Sequence, residues 1–135
     1  MIKKNINLFN GDCLEVMNIL IERGVVVDAI ITDPPYGTTN CKWDSLIPLD
    51  KMWERLNKLI KPNGAIIFTA SQPFTSTLVI SNIKDFKYSL VYEKTTPTGH
   101  LNAKIMPLRC HEDILIFGKG RIVYNPQKTT GHKRK

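Results

Sequence analysis

No run of apolar residues in this 135-residue chain approaches the roughly 20 that a membrane helix needs, so no spanning helix is expected. Cysteine is scarce. Cys13, Cys41 and Cys110 form no CxxC pair and are odd in number, which argues against a disulfide framework and suits a reduced, cytoplasmic compartment. Cys110-His111 and Cys41 have no metal-ligand spacing, so no metal centre is expected. Met1-Ile2-Lys3-Lys4-Asn5 is basic but runs into a strand-like pattern instead of an apolar signal core, which argues against secretion. Internal repeats and low-complexity blocks are also lacking. Acidic residues are the minority: 12 Asp and Glu face 19 Lys and Arg, for a formal charge of +7. The surplus collects late, in Lys119, Arg121, Lys128, His132, Lys133, Arg134 and Lys135. That balance favours a polyanion such as DNA as partner. A solvated tail without a partner explains the charge equally well.

What is present reads as one α/β domain. Hydrophobic content of 42% and charged content of 23% are those of an ordinary globular chain long enough to bury a core. Ile6-Asn7-Leu8-Phe9 reads as a short strand ending at the turn Asn10-Gly11-Asp12. Asp12 then caps a helix in which Leu14, Met17, Leu20 and Ile21 recur at helical spacing, with Gly24 past its end. The apolar run Val25 to Thr32 follows as a buried parallel strand, closing a β-α-β unit. A polar loop, Gly37 to Pro48, leads to a helix with Leu49, Met52, Trp53, Leu56 and Ile60 on one face, stopped by Pro62-Asn63-Gly64. Ala65-Ile66-Ile67-Phe68-Thr69 is uninterrupted and apolar, which predicts a central strand covered on both faces. A helix through Thr77, Val79 and Ile80 comes next, then an alternating strand from Phe86 to Glu93. Lys94 to Arg109 reads as a long loop, and Glu112 to Phe117 as a strand that pairs with the Phe86 strand at an antiparallel edge. Residues 1–125 carry the domain, and 126–135 are a basic polar tail.

Chemistry concentrates in Asp33-Pro34-Pro35-Tyr36, at the carboxyl end of the Val25–Thr32 strand. Ligands of open α/β sheets bind at such strand ends. The prolines stiffen the loop and remove two N–H donors, leaving carbonyls and the Asp33 carboxylate as acceptors, with the flat ring of Tyr36 beside them. Acceptors plus a stacking ring suit a planar group bearing an amino donor, such as a nucleobase.

These segments resemble the S-adenosylmethionine-dependent amino methyltransferases of DNA. The resemblance is carried by Asn10-Gly11-Asp12-Cys13-Leu14 before a helix, Asp33-Pro34-Pro35-Tyr36-Gly37 after a strand, and Gly64-Ala65-Ile66-Ile67-Phe68. It extends to His111-Glu112-Asp113-Ile114-Leu115-Ile116-Phe117, and covers nearly all of residues 5–125. The order of the pieces is similar to the permuted (beta-type) subgroup, in which the catalytic half precedes the cofactor-binding half. The resemblance implies a Rossmann-like methyltransferase sheet, mostly parallel with an antiparallel edge. It implies catalysis by Asp33, Pro34, Pro35 and Tyr36, with Asp12, Cys13 and Asp33 toward S-adenosylmethionine. DNA is the implied partner, and adenine N6 the implied target, because Asp heads the tetrapeptide where cytosine enzymes usually carry Ser. Asp12 also reads as a plain N-cap carboxylate. Lys42-Trp43-Asp44 reads as part of a flap or, for Trp43, rather as a core anchor. Gln72-Pro73-Phe74 is expected to line the cleft, and Thr95 to Lys104 to offer donors to phosphates. Glu112 reads as structural, and neither His100 nor His111 is assigned as a base.

One signature of the resemblance is missing. Phe117-Gly118-Lys119-Gly120 imitates a glycine-rich cofactor turn, but the following Arg121-Ile122-Val123-Tyr124-Asn125-Pro126 is strand-like and proline-broken instead of helical. The expectation is therefore an incomplete methyltransferase sheet, an amino-terminal portion with an open edge prone to self-association or homodimer formation. Alternatives are an inactive nucleic-acid-binding remnant of a phage or mobile-element gene, an N4-cytosine enzyme, or an RNA or glutamine-amide methyltransferase. No residue speaks to a recognition sequence or to a restriction endonuclease partner.

Overall fold

The computed structural model describes residues 5–131. Helix α1 (Cys13–Glu22) is followed by β1 (Val27–Thr32), α2 (Leu49–Leu59), β2 (Ile60–Ala70), α3 (Phe74–Ser81), β3 (Phe86–Thr98), a 3-10 turn (His100–Asn102) and β4 (Arg109–Phe117). The four strands form one mixed sheet in the order β1-β2-β4-β3. β1 and β2 pair in parallel, while β4 runs antiparallel to both β2 and β3.

Local chemistry explains the boundaries. Asp12 caps α1, its Oδ1 accepting from the Leu14 and Glu15 amides at 2.8 and 3.2 Å. The helix ends in a Schellman motif: Gly24 takes φ 68°, its N–H donates to the Ile21 carbonyl, and Val25 N–H donates to Leu20. Val25 is thereby spent on the helix, and β1 starts at Val27. Along α2, Met52, Trp53, Leu56 and Leu59 make a buried stripe. Burial alternates on β2, with Ile66, Phe68 and Ala70 buried against the helices and Ile67 and Thr69 half-exposed on the opposite face. Phe68 and Phe117 form an edge-to-face pair, and Trp53 packs against both while its indole N–H donates to Ser81 Oγ at 2.8 Å.

Four expectations need correction. Ile6–Phe9 is not a strand: it finds no strand to pair with among the described residues, and Leu8 is 92% exposed. The observed β-α-β unit is therefore β1-α2-β2, one element further along the chain. Second, β2 is central but has helices on one face only among the described residues, since α1, α2 and α3 all join the cluster around Phe68 and Phe117. The other face is partly crossed by the segment after β4, where Val123 N–H donates to the Asn63 carbonyl. β1 is accordingly not the buried strand expected: none of its residues is buried, and Ile31 on the uncovered face is 76% exposed. Third, the loop expected from Lys94 to Arg109 is largely a hairpin: β3 continues to Thr98, which pairs with Arg109 past an irregularity after Glu93. Fourth, Pro62-Asn63-Gly64 does not end α2 but lies within β2, where the β1 register jumps between Val27 and Ala29. Of the basic tail, His132, Lys133, Arg134 and Lys135 lie outside the described residues.

Phe117 is fully buried where α2, β2 and β3 converge. Phe117→Ala is expected to lower stability by about 3–5 kcal/mol, read as a drop in the urea midpoint at unchanged slope.

Candidate active site

Three elements deliver the site. β1 ends at Thr32, which pairs with Phe68, so the next residue, Asp33, emerges beside Thr69 of β2. Asp33 Oδ1 accepts from the Thr69 hydroxyl at 2.5 Å and from the Tyr36 hydroxyl at 2.8 Å, and the two hydroxyls lie 3.1 Å apart. One carboxylate oxygen is thus held by two neutral donors. Asp33 is exposed, and Oδ2 carries no such bond among the described residues. Pro34 is buried and fixes the turn from below.

Tyr36 is oriented from two sides. Its ring stacks on Phe74 of α3, with centroids 5.2 Å apart and planes 17° from parallel, so one ring face is taken. Burial pushes the phenol well above its ordinary value, a bond with Thr69 pulls it back, and the neighbouring Asp33 carboxylate raises it further. It therefore stays a neutral donor.

The following loop is closed by Asp44, which is buried. Its carboxylate accepts from the backbone N–H groups of Gly37 at 2.9 Å, Thr38 at 2.8 Å and Thr39 at 2.7 Å. Burial pushes this carboxyl up, but those amides and the Thr39 hydroxyl outweigh it and bring it from 3.8 to about 2. Glycine is required at position 37: φ is 65°, and a Cβ there would lie 2.7 Å from Leu46 Cγ. The closed loop forms one wall of a cleft of about 330 Å³, whose other walls are Asp33, Pro34, Pro35, Tyr36 and Glu112.

Asp33, Pro34, Pro35 and Tyr36 are brought together as their spacing implies. Asp12 and Cys13 stand apart at the start of α1, both exposed, and neither lines this cleft. Partial desolvation of the Cys13 thiol and the adjacent Asp12 charge raise it above its ordinary value. Trp43 is no core anchor; it is 74% exposed and lines the cleft, next to the Asp44 that clamps the loop. From Gln72-Pro73-Phe74, only Phe74 reaches the site, through its stack on Tyr36, while Gln72 accepts from Ser76. Glu112, which reads as structural in the sequence, faces the cleft and is ion-paired with Lys94. Sequence reasoning misses Thr69. Its only signal is its place, one residue beyond the Phe68 that pairs with the last residue of β1.

No protein-family model matches the chain, and no curated protein matches it in sequence. Solved structures do. The M1.HpyAVI–SAM complex superposes with a TM-score of 0.69 at 24% identity, over 93% of this chain and 62% of that one. M1.HpyAVI alone gives a TM-score of 0.68 at 23% identity, over 92% and 62%. TTHA0409 of Thermus thermophilus, described as a candidate DNA modification methylase, gives 0.56 at 21% identity, over 87% and 54%. The chain has the methyltransferase fold. It spans less than two thirds of the length of each of these proteins.

Because the Asp44 carboxyl titrates lower when folded than its ordinary value, the order it gives the loop is complete above pH about 4 and is lost as pH falls through about 2. Amide hydrogen-exchange protection at Gly37, Thr38 and Thr39, measured against the intrinsic rate at each pH, is expected to fall over that interval. Asp44→Asn is expected to lack most of that protection at every pH.

Proposed function

We propose that this chain is the target-base portion of a DNA amino methyltransferase that modifies the N6 amine of adenine. The observation that carries the reading is Asp33, which lines the cleft with Oδ1 tied to Thr69 and Tyr36 and Oδ2 without a hydrogen bond among the described residues. An exocyclic amine is a poor nucleophile because its lone pair is delocalised into the ring. Two acceptors, Asp33 Oδ2 and the Pro34 carbonyl, would take its two protons and draw the nitrogen toward tetrahedral geometry. As positive charge grows on the nitrogen, the fixed carboxylate stabilises it without having to reorganise. The proton that the amine must shed leaves along the bond to Oδ2. The free face of Tyr36 receives the ring of a base extruded from its duplex.

S-adenosylmethionine fits the donor set at one end: when bound, it supplies an electrophilic methyl on a positively charged sulfonium, and this cleft offers carboxylates. Asp33 would face that charge, and Asp12, whose Oδ1 is spent on the cap, has its second oxygen for an adenine amino group. Gly118-Lys119-Gly120 leads into no helix among the described residues, so the glycine turn expected of a full cofactor pocket is not built there. This favours a second reading, in which the chain by itself binds nucleic acid without transferring methyl groups. The outer edge of β1 and the helix-free sheet face are the surfaces through which it would self-associate.

Labelled methyl transfer to DNA, followed by nucleoside digestion and mass spectrometry, tests the first reading. N6-methyladenine is the expected product and N4-methylcytosine the result against it. Asp33→Ala is expected to lower the rate by about 10²–10³ and Thr69→Val by about tenfold. Calorimetry with S-adenosylmethionine is expected to give weak binding, and tight stoichiometric binding would defeat the view that most of the cofactor pocket lies elsewhere.

A further inference from the structure

A second, smaller pocket of about 130 Å³ adjoins the cleft and shares Tyr36, Thr38 and Glu112 with it as a common wall. Its chemistry is opposite. Where the first cleft is rich in acceptors, this one is lined by Ser71, Lys94, Thr98, Arg109 and His111. The carboxylate it contains, Glu112, is neutralised by its ion pair with Lys94. Arg109 has no carboxylate within ion-pair reach among the described residues; its Nη1 reaches the Ser71 hydroxyl at 3.4 Å, which leaves the Ser71 proton to donate. The Thr98 hydroxyl donates to the Arg109 carbonyl at 3.5 Å, tying β3 to β4 at the pocket's rim. An uncompensated guanidinium beside a hydroxyl and an imidazole, in a pocket of this size, matches the tetrahedral oxygens of a phosphate.

We infer that Arg109, His111 and Ser71 form a phosphate subsite for the nucleotide whose base enters the Asp33 cleft. The inference rests on the reading of that cleft as a base pocket. A nucleotide's phosphate is one sugar away from its base, so the two subsites must be neighbours, and Tyr36 is the partition between them. The other cationic hollow, with Lys87 and Arg121, lies near Asn63 at the opposite end of β2, roughly 25 Å along the strand. That is too far for the same nucleotide.

The test is a nuclear magnetic resonance titration of the full chain in low salt with deoxyadenosine, its 5′- and 3′-monophosphates, and inorganic phosphate. At least one monophosphate is expected to bind about tenfold or more tightly than the nucleoside, with shifts at Ser71, Arg109 and His111. Arg109→Gln is expected to abolish that advantage and Arg109→Lys to keep part of it. Equal binding of nucleoside and both monophosphates by the wild-type chain overturns the subsite, whatever the variants do. So does an undiminished advantage in Arg109→Gln, or shifts confined to Lys87 and Arg121. Nucleoside binding that depends on Asp33, with no gain from phosphate, sinks the subsite and leaves the base pocket standing. Inorganic phosphate held through Arg109 without any nucleoside binding supports the anion site and removes the base reading.

Discussion

The parallel register between β1 and β2 is the constraint on which the site depends. Because Thr32 pairs with Phe68, Asp33 leaves the sheet beside Thr69 and receives its hydroxyl. A slip of one residue would turn Thr69 toward the helices and expose Phe68. Burial of Ile66, Phe68 and Ala70 on one face of β2 opposes that slip, and each such side chain adds roughly 1.5–3 kcal/mol for larger aliphatic or aromatic groups. Core packing on one side of the sheet thus sets hydrogen-bond geometry at its end.

From that anchor the surroundings divide into two chemical environments. Acceptors gather in one pocket and donors in its neighbour, with Tyr36 in the wall they share. The partition stays in place because Tyr36 is gripped at both ends, by Phe74 against its ring and Asp33 at its hydroxyl. Asp44 does similar work for the next loop, where three amides that would otherwise face solvent converge on one carboxylate. The polar wall is therefore already formed in the free chain, which favours binding by limiting the order lost on association.

The sheet is finished on one side and open on the other. Among the described residues, all three helices gather on one face, and β1 has a partner on one edge only. More than a third of each of the three solved proteins of this fold lies outside the part that this chain spans. Ile31 and the Ile6–Phe9 segment sit in water where a larger α/β sheet would carry cover.

Much of this was legible in the residues. Periodicity places α1, α2 and α3, and the apolar runs place β1 and β2, because each element must bury one face of its own. Gly24 past α1 and Asp12 before it follow from local backbone chemistry alone. The Asp33-Pro34-Pro35-Tyr36 cluster is contiguous, so its grouping needed no fold. The tertiary structure alone decided that Thr69 holds Asp33, that Glu112 faces the cleft and that Trp43 is exposed, since those residues meet across 30 or more positions of chain or depend on how a loop closes. It also decided that Ile6–Phe9 is no strand and that the Lys94–Arg109 segment is mostly hairpin. A strand exists only where a neighbour accepts its backbone bonds, and no pattern within a single segment carries that information.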